Sequence, residues 1–217
     1  MQPALPRPRP ARAVLDGRYA RLEPLDAAHV SALYEASSGP GAAARFAYLF
    51  DLPPAAPAEM SAWVARMSAG DDPLFSAVID KASGRAAGRQ ALMRITPEHG
   101  VIEIGNILWG PAISRTRVAT EALYLAARYV FDDLGYRRFE WKCNDLNAPS
   151  KKAALRFGFT YEGLFRQHMW AKGANRDTAW FSMLDKEWPS LKKQYERWLQ
   201  PANFDATGNQ LSKLRPM

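Results

Sequence analysis

VIEIGNILWGPAISRTRVATEALYLAARYVFDDLGYRRFEWKC, residues 101–143, changes its hydrophobic period twice, and those two changes decide the fold. VIEIGNILW (101–109) follows the turn Pro97–Gly100 and reads as a strand. From Arg117 to Leu134 the apolar residues fall at 118, 122, 125, 126, 129, 130 and 134, the spacing of an amphipathic helix, and Gly135 closes it. RRFEWKC (137–143) alternates again, with Phe139, Trp141 and Cys143 on one face. A strand–helix–strand unit implies that 101–109 and 137–143 lie parallel.

Upstream, LFSAVID (74–80) and AAGRQALMRIT (86–96) lead into 101–109 through short turns, an antiparallel meander. Residues 18–25 alternate, and Asp26 offers an N-cap for a helix over about 27–36. A long connection rich in Gly, Ala and Pro (37–57) precedes a helix over about 58–69. Downstream come a short helix (148–157) ended by Gly158, a hairpin of 159–170 and 177–185 around Lys172–Asn175, and a last helix (186–199). The order β–α–α–β–β–β–α–β–α–β–β–α is one α/β domain over about 13–200. Residues 1–12, with four prolines, read as a flexible arm, and 201–217 as a loose or docked tail.

The chain has 217 residues, 47% of them hydrophobic, enough for a buried core. Cys143 stands alone, so no disulfide or cysteine-based zinc cluster is expected, and three scattered histidines make no metal site. The N-terminus lacks the apolar segment of a secretory signal and no run is long enough to span a membrane, so a cytoplasmic location is expected. A net charge of +7 raises nucleic acid or an anionic ligand as partner. Arg7, Arg9 and Arg12 place +3 of it on the arm, and the tail adds +1, which leaves +3 for the domain. There is no basic stripe interleaved with aromatics, so nucleic acid is not the expected partner.

Phosphate-loop, nucleophile-elbow, zincin and dinucleotide signatures are all absent. What remains is the junction WGPAISRTRVATEA (109–122), which puts Arg115 and Arg117 at a helix N-terminus, where unpaired N–H groups and the dipole favour an anion. CNDLNAPSKKAALRFGF (143–159) follows the next parallel strand and brings Asn147, Ser150, Lys151 and Lys152 beside it.

With these residues in order, the chain resembles the GNAT superfamily of N-acetyltransferases, in the branch that acetylates ribosomal proteins (the Rim group). The resemblance is carried by IEIGNIL (102–108), VATEA (118–122), FDDLGYRRFEWKC (131–143), Asn147 with Ser150, GFTYEGLFR (158–166), RD (176–177) and EW (187–188). It implies a mixed, mostly antiparallel sheet of six or seven strands with a splayed parallel pair, helices on both faces, and acetyl-CoA as acyl donor, without a metal. Carried over, Ile107, Leu108 and Trp109 would offer backbone to the pantetheine arm. Arg115, Thr116, Arg117, Val118 and Ala119 would cradle the pyrophosphate, and Asn147 and Ser150 would lie near the sulfur. The family loop reads Gln/Arg-x-x-Gly-x-Gly/Ala, whereas here Ser114 fills the first slot and Arg117 the main glycine slot.

Direct transfer of an acyl group to a primary amine, on a protein N-terminus or a small molecule, is the activity implied. The resemblance places the base at Glu103, with Glu162 as second candidate, and the acid at Ser150; the tyrosine that many members use is replaced by Ala154. The connection 37–57 and the hairpin would bind the acceptor and offer Arg45, Phe46, Tyr48, Phe50, Arg166 and His168. Cys143, in line with Phe139 and Trp141, reads as core rather than nucleophile. The loop departure keeps two alternatives open: a module that holds CoA or a protein without turnover, and a transferase using another acyl-CoA such as succinyl-CoA. Homodimers are common in the family.

Overall fold

A computed structural model describes residues 5–214. Its strands are β1 (Leu15–Asp16), β2 (Ala20–Pro24), β3 (Leu74–Asp80), β4 (Arg85–Thr96), β5 (Val101–Trp109), β6 (Arg138–Asn144), β7 (Thr160–Ala171) and β8 (Ala174–Leu184). They form one sheet in the order β1-β2-β3-β4-β5-β6-β8-β7. Every neighbouring pair is antiparallel except β5 and β6. The two-residue β1 takes the count one past the expected six or seven.

The helices are α1 (Val30–Ser37), α2 (Ala42–Phe46), α3 (Pro57–Ala69), α4 (Arg117–Arg128), α5 (Ala148–Arg156) and α6 (Trp188–Trp198). Asp26 caps the turn leading into α1 as expected, its Oδ1 accepting from the Ala28 N–H at 2.8 Å. The connection 37–57 is not featureless, since it contains α2. The long helix is α over 117–128 and then widens to a π turn over Tyr129–Asp133, with the Leu134 N–H donating to Tyr129 O at 3.0 Å.

Period-2 alternation splits the core between the two faces of the sheet. Phe75, Ala77 and Ile79 of β3 pack with Leu33, Met60, Trp63 and Val64 of α1 and α3. Val78 joins the opposite core, where α4 and α6 cover Ile102, Ile104, Phe139 and Phe181. Glu121 of α4, invisible to a hydrophobic pattern, is buried there and accepts from the N–H groups of Arg18, Tyr19 and Ala20, which ties β2 to the helix.

Both termini are less free than their composition suggests. Residues 5–12 lie against the body: Arg7 N donates to Pro97 O at 2.9 Å, Ala11 N to the Tyr129 hydroxyl at 2.9 Å, and Arg12 Nη2 to Gly70 O at 2.7 Å. These residues of the expected flexible arm are thus docked on the domain, and 1–4 lie outside the described residues. The tail docks through Trp198 Nε1 on Gln210 Oε1 at 2.9 Å and a bridge between Phe204 and Gln210. Prolines remove donors without making a segment mobile; neighbours supply the anchors.

Candidate active site

The site begins where β5 and β6 part. They pair only over Val101–Ile104 with Arg138–Trp141. Beyond Ile104, β5 stays on β4 (Leu108 opposite Arg89, Trp109 opposite Gly88) but has lost β6, so its outer backbone groups face a cleft. Asn106, at φ 51°, marks the bulge that starts the divergence.

Two cavities meet in that cleft. The larger, about 840 Å³, runs from Ile107–Trp109 past the start of α4 to the tail. The smaller, about 130 Å³, lies between β5, β6, the 45–50 segment and the β7–β8 hairpin. Arg45, Ile107, Trp141, Asn147 and Ser150 line both, so they form the throat between them.

Five cations line the larger cavity (Arg45, Arg115, Arg117, Lys152 and Arg156), and no carboxylate does. Thr116 caps α4: its Oγ1 accepts from the Val118 N–H at 3.2 Å. The amides of Arg117 and Ala119 have no acceptor among the described residues. Arg115 sits at φ 64°, the left-handed geometry that turns successive amides toward one concavity. Arg117 occupies an ordinary helical position, and its guanidinium leaves the loop to stack at 4.5 Å from the Tyr19 ring and 5.2 Å from the Phe204 ring. The residue in the usual glycine slot therefore fastens the tail to the body. Arg156, which the sequence reading missed, lies between the Phe157 and Trp198 rings at 5.2 and 5.1 Å and reaches Thr120 Oγ1 at 3.2 Å. Unpaired amides, cations without carboxylate partners and a free strand edge are what a pyrophosphate on an amide-bearing arm requires, so these residues fit a CoA thioester.

At the throat, Ser150 Oγ accepts from Trp141 Nε1 at 3.0 Å. Asn147 caps α5 through its Oδ1, which takes the Ser150 N–H at 3.1 Å. Burial pushes the Cys143 thiol up, opposed by its hydrogen bond with Ser150, which keeps it a neutral core sulfur.

The smaller cavity is assembled from distant segments. A bulge in β7, with Gln167 at φ 49° and its N–H held by Asp177 Oδ1 at 2.7 Å, turns His168 and Met169 together toward it. His168 Nδ1 lies 3.0 Å from Thr178 Oγ1. A two-residue turn, Lys172–Gly173, is tighter than expected and lets Lys172 Nζ donate to Phe46 O at 2.8 Å, which joins the hairpin tip to the 45–50 lip. Glu103 is 3% exposed on this wall. Arg94 Nη1 donates to both of its oxygens at 2.8 Å, and Lys142 Nζ lies 2.9 Å from Oε2.

Not every expected residue reaches the cleft. Glu162 lines neither cavity; Arg138 holds it bidentately and Ser182 Oγ donates to it at 2.7 Å, which lowers its carboxyl to about 2. A carboxylate so engaged outside the cleft is a structural anchor, and Glu162 is withdrawn as a base. Val118 turns into the core, 8% exposed, and only its capped backbone belongs to the loop. Lys151 pairs with Asp145 at 2.8 Å, and Lys152 lines the larger cavity.

A profile of the acetyltransferase (GNAT) domain matches residues 20–160, more than half of the chain. The chain belongs to the GNAT acetyltransferase family. This acetyltransferase is 60% identical to a GCN5-related N-acetyltransferase from Brucella melitensis, whose crystal structure superposes with a TM-score of 0.96 over 99% of this chain and 97% of that one. It is 33% identical to the uncharacterized N-acetyltransferase p20 of Bacillus licheniformis over 115 residues, 51% of this chain and 62% of that relative's length. RimL, a ribosomal L7/L12 alpha-N-protein acetyltransferase, shares the fold at 19% identity, TM-score 0.68, over 79% of this chain and 94% of that one. No helix among the described residues of the acetyltransferase is long and apolar enough to cross a membrane.

Proposed function

We propose that the protein transfers an acyl group from acetyl-CoA directly to a primary amine, with the thioester at the throat and the amine in the smaller cavity. The throat itself carries this reading: a large cationic cavity suited to a nucleotide thioester opens, through Ser150, onto a small one suited to an acceptor. Acetyl-CoA supplies the activated acyl group. The amine nitrogen forms the new bond to the acyl carbon, the carbon–sulfur bond breaks, and one proton passes from nitrogen to sulfur by way of side chains and water.

Ser150 is placed to protonate the sulfur. Its oxygen accepts from Trp141 and its hydroxyl contacts the Cys143 sulfur, so protonation of the thioester sulfur turns that hydroxyl hydrogen from Cys143 into the throat. For the base the structure favours His168 over Glu103. Both Glu103 oxygens are taken by cations, so an incoming proton would have to compete with Arg94 and Lys142. The His168 ring lines the cavity with no cation bound to it among the described residues, and imidazole is the side chain most often used as a general base. Glu103 then serves as counter-ion to the cationic wall.

Millimolar acetyl-CoA should raise the melting temperature, and CoA release should accompany amine acetylation. Ser150→Ala should lower kcat about 100-fold, the low end for acid catalysis, with acetyl-CoA affinity within about threefold. His168→Gln should lower kcat and remove the acid limb of the pH profile, which Glu103→Gln should leave in place. Stabilisation by acetyl-CoA without CoA release over a broad amine panel would replace this reading with a CoA-holding module. Faster turnover of succinyl-CoA would change the donor and leave the roles intact.

A further inference from the structure

The smaller cavity shows an electrostatic imbalance that transfer to an amine does not by itself explain. Arg45, Arg94, Lys142 and Arg176 line it, and Glu103 is the one carboxylate that does. Arg94 and Lys142 spend their charge on Glu103, and Lys142 also reaches Glu140 at 2.7 Å. Arg45 donates to Pro40 O at 2.9 Å and Ser38 O at 2.7 Å. Arg176 of β8 is different. It is 8% exposed, its buried Nε has no hydrogen-bond partner, and no acceptor for its guanidinium is found among the described residues. The Phe50 ring lies 4.9 Å away, and Arg94 and Glu103 act on the guanidinium through space without bonding to it.

An arginine in such a place is costly. Burial disfavours the charged form, and the guanidinium of Arg176 is held below its ordinary value chiefly for that reason. A buried charge without a partner is tolerated where a ligand completes it. Guanidinium presents a planar fork of donors whose complement is a carboxylate. A second argument concerns the amine. It must lose a proton before it attacks, and a wall of cations disfavours its ammonium form. The same wall repels a simple cationic amine from the cavity altogether. A carboxylate on the same molecule resolves the conflict, because it supplies the attraction while the field helps to free the nitrogen. Size agrees: about 130 Å³ is the share of roughly four water molecules.

We propose that the acceptor is a small primary amine that also carries a carboxylate a few bonds from the nitrogen, and that Arg176 binds that carboxylate with Phe50 bracing its guanidinium. This rests on the transfer reading and narrows it to an acceptor class. Polyamines, aminoglycoside-like polycations and plain alkylamines are excluded as good substrates. A protein N-terminus, with no carboxylate within a few bonds unless its first residue is acidic, is disfavoured as well.

The test pairs each candidate with its uncharged twin: glycine with glycinamide, β-alanine with β-alaninamide, aspartate with asparagine amide, and an Asp-initiated with an Ala-initiated peptide. Turnover with acetyl-CoA should favour each free carboxylate by 10-fold or more in kcat/KM. Arg176→Met, which keeps the apolar stem against Phe50, should abolish that preference through KM, with stabilisation by acetyl-CoA retained. Arg176→Lys should restore part of it. Equal rates for acids and amides, or an Arg176→Met enzyme with its preference intact, would overturn the acceptor class and leave acetyl transfer standing. Best activity on a peptide whatever its first residue would overturn it in favour of a protein terminus. A binding readout covers the case of no turnover, which would count against the transfer reading. N-acetyl-β-alanine titrated calorimetrically into the CoA-bound protein should bind at least 10-fold more tightly than N-acetyl-β-alaninamide, and the gap should close in Arg176→Met. Equal affinity would overturn the role of Arg176 independently.

Discussion

The two cavities on either side of Ser150 are built on opposite principles. The larger draws most of its lining from one strand–turn–helix stretch, Ile107 to Thr120, and from α5, with Arg45 and the tail at 204–210 closing it. Its cations carry no carboxylate partners and are steadied by rings instead, as Arg117 is by Tyr19 and Phe204. The smaller is gathered from 45–50, 93–94, 103–107, 141–150 and 168–178, and two of its four Lys and Arg side chains, Arg94 and Lys142, are paired with Glu103. The first is shaped to receive a strong anion that brings its own charge. The second is shaped to discriminate, with a net-cationic wall and one guanidinium, that of Arg176, that meets no acceptor among the described residues. A donor site common to a family can be local and preformed, whereas an acceptor site has to be held in register from a distance.

That difference predicts where the molecule is fragile. The acceptor lip depends on Asp51, whose carboxylate meets the 2%-exposed Arg89 at 2.9 Å and the Trp63 indole N–H at 3.2 Å. Arg89 lies 4.0 Å over the Trp63 ring, with Phe75 and Phe46 close by. Asp51→Ala leaves that guanidinium buried with rings but no counter-ion. Breaking such a pair costs about 3 kcal/mol or more. Chemical denaturation should show a loss of this order, and KM for the acceptor should rise several-fold while acetyl-CoA still stabilises the variant. An equal loss of donor affinity would mean that the two cavities are one cooperative unit and would break the comparison.

The same contrast explains what could be read from the chain alone. The strand at 101–109, the helix from Arg117 and the short helix after Asn147 are local patterns, and they appear where the sequence puts them. The cationic start of α4 was legible because its parts are neighbours in sequence. Glu121, Arg156 and Arg176 were not, since each acquires meaning from a partner, or the lack of one, far away along the chain. Glu103 and Glu162 show where a motif stops. A motif can place a carboxylate on a strand, but which cations surround it depends on Arg94, Lys142 and Arg138 arriving from neighbouring strands. The π turn at Tyr129–Asp133 carries the same apolar spacing as the α-helix before it, so periodicity had no means of separating the two.

On the donor side the tail is the element to loosen. Arg117→Ala removes two ring contacts of a cation, each about 0.5–1 kcal/mol at an exposed or half-buried site. Tail docking should weaken accordingly, and KM for acetyl-CoA should rise about fivefold to tenfold with kcat little changed. If Arg117 bound phosphate directly, the loss would grow steeply as salt is lowered, because a direct ionic contact is least screened there. A loss independent of salt sharpens the assignment of Arg117 as the clasp of the tail.

The smallest effect is expected at Glu162, which belongs to neither cavity. Its partner Arg138 lowers its carboxyl from 4.5 to about 2 in the folded protein. A carboxylate whose folded value is depressed contributes its stability above the unfolded value, and the contribution fades as pH falls from about 4.5 to about 2. The pair is partly exposed, Glu162 by 38%, so solvent screening keeps its worth at about 1 kcal/mol or below. Glu162→Gln should therefore lower stability slightly at pH 7, and the gap from the native protein should close as the pH is taken toward 2. Its kcat/KM should stay within about twofold, with an unshifted pH profile. A profile that lost its acid limb in this variant, and kept it in His168→Gln, would return Glu162 to the chemistry and move the working base from the acceptor cavity to the outer strand.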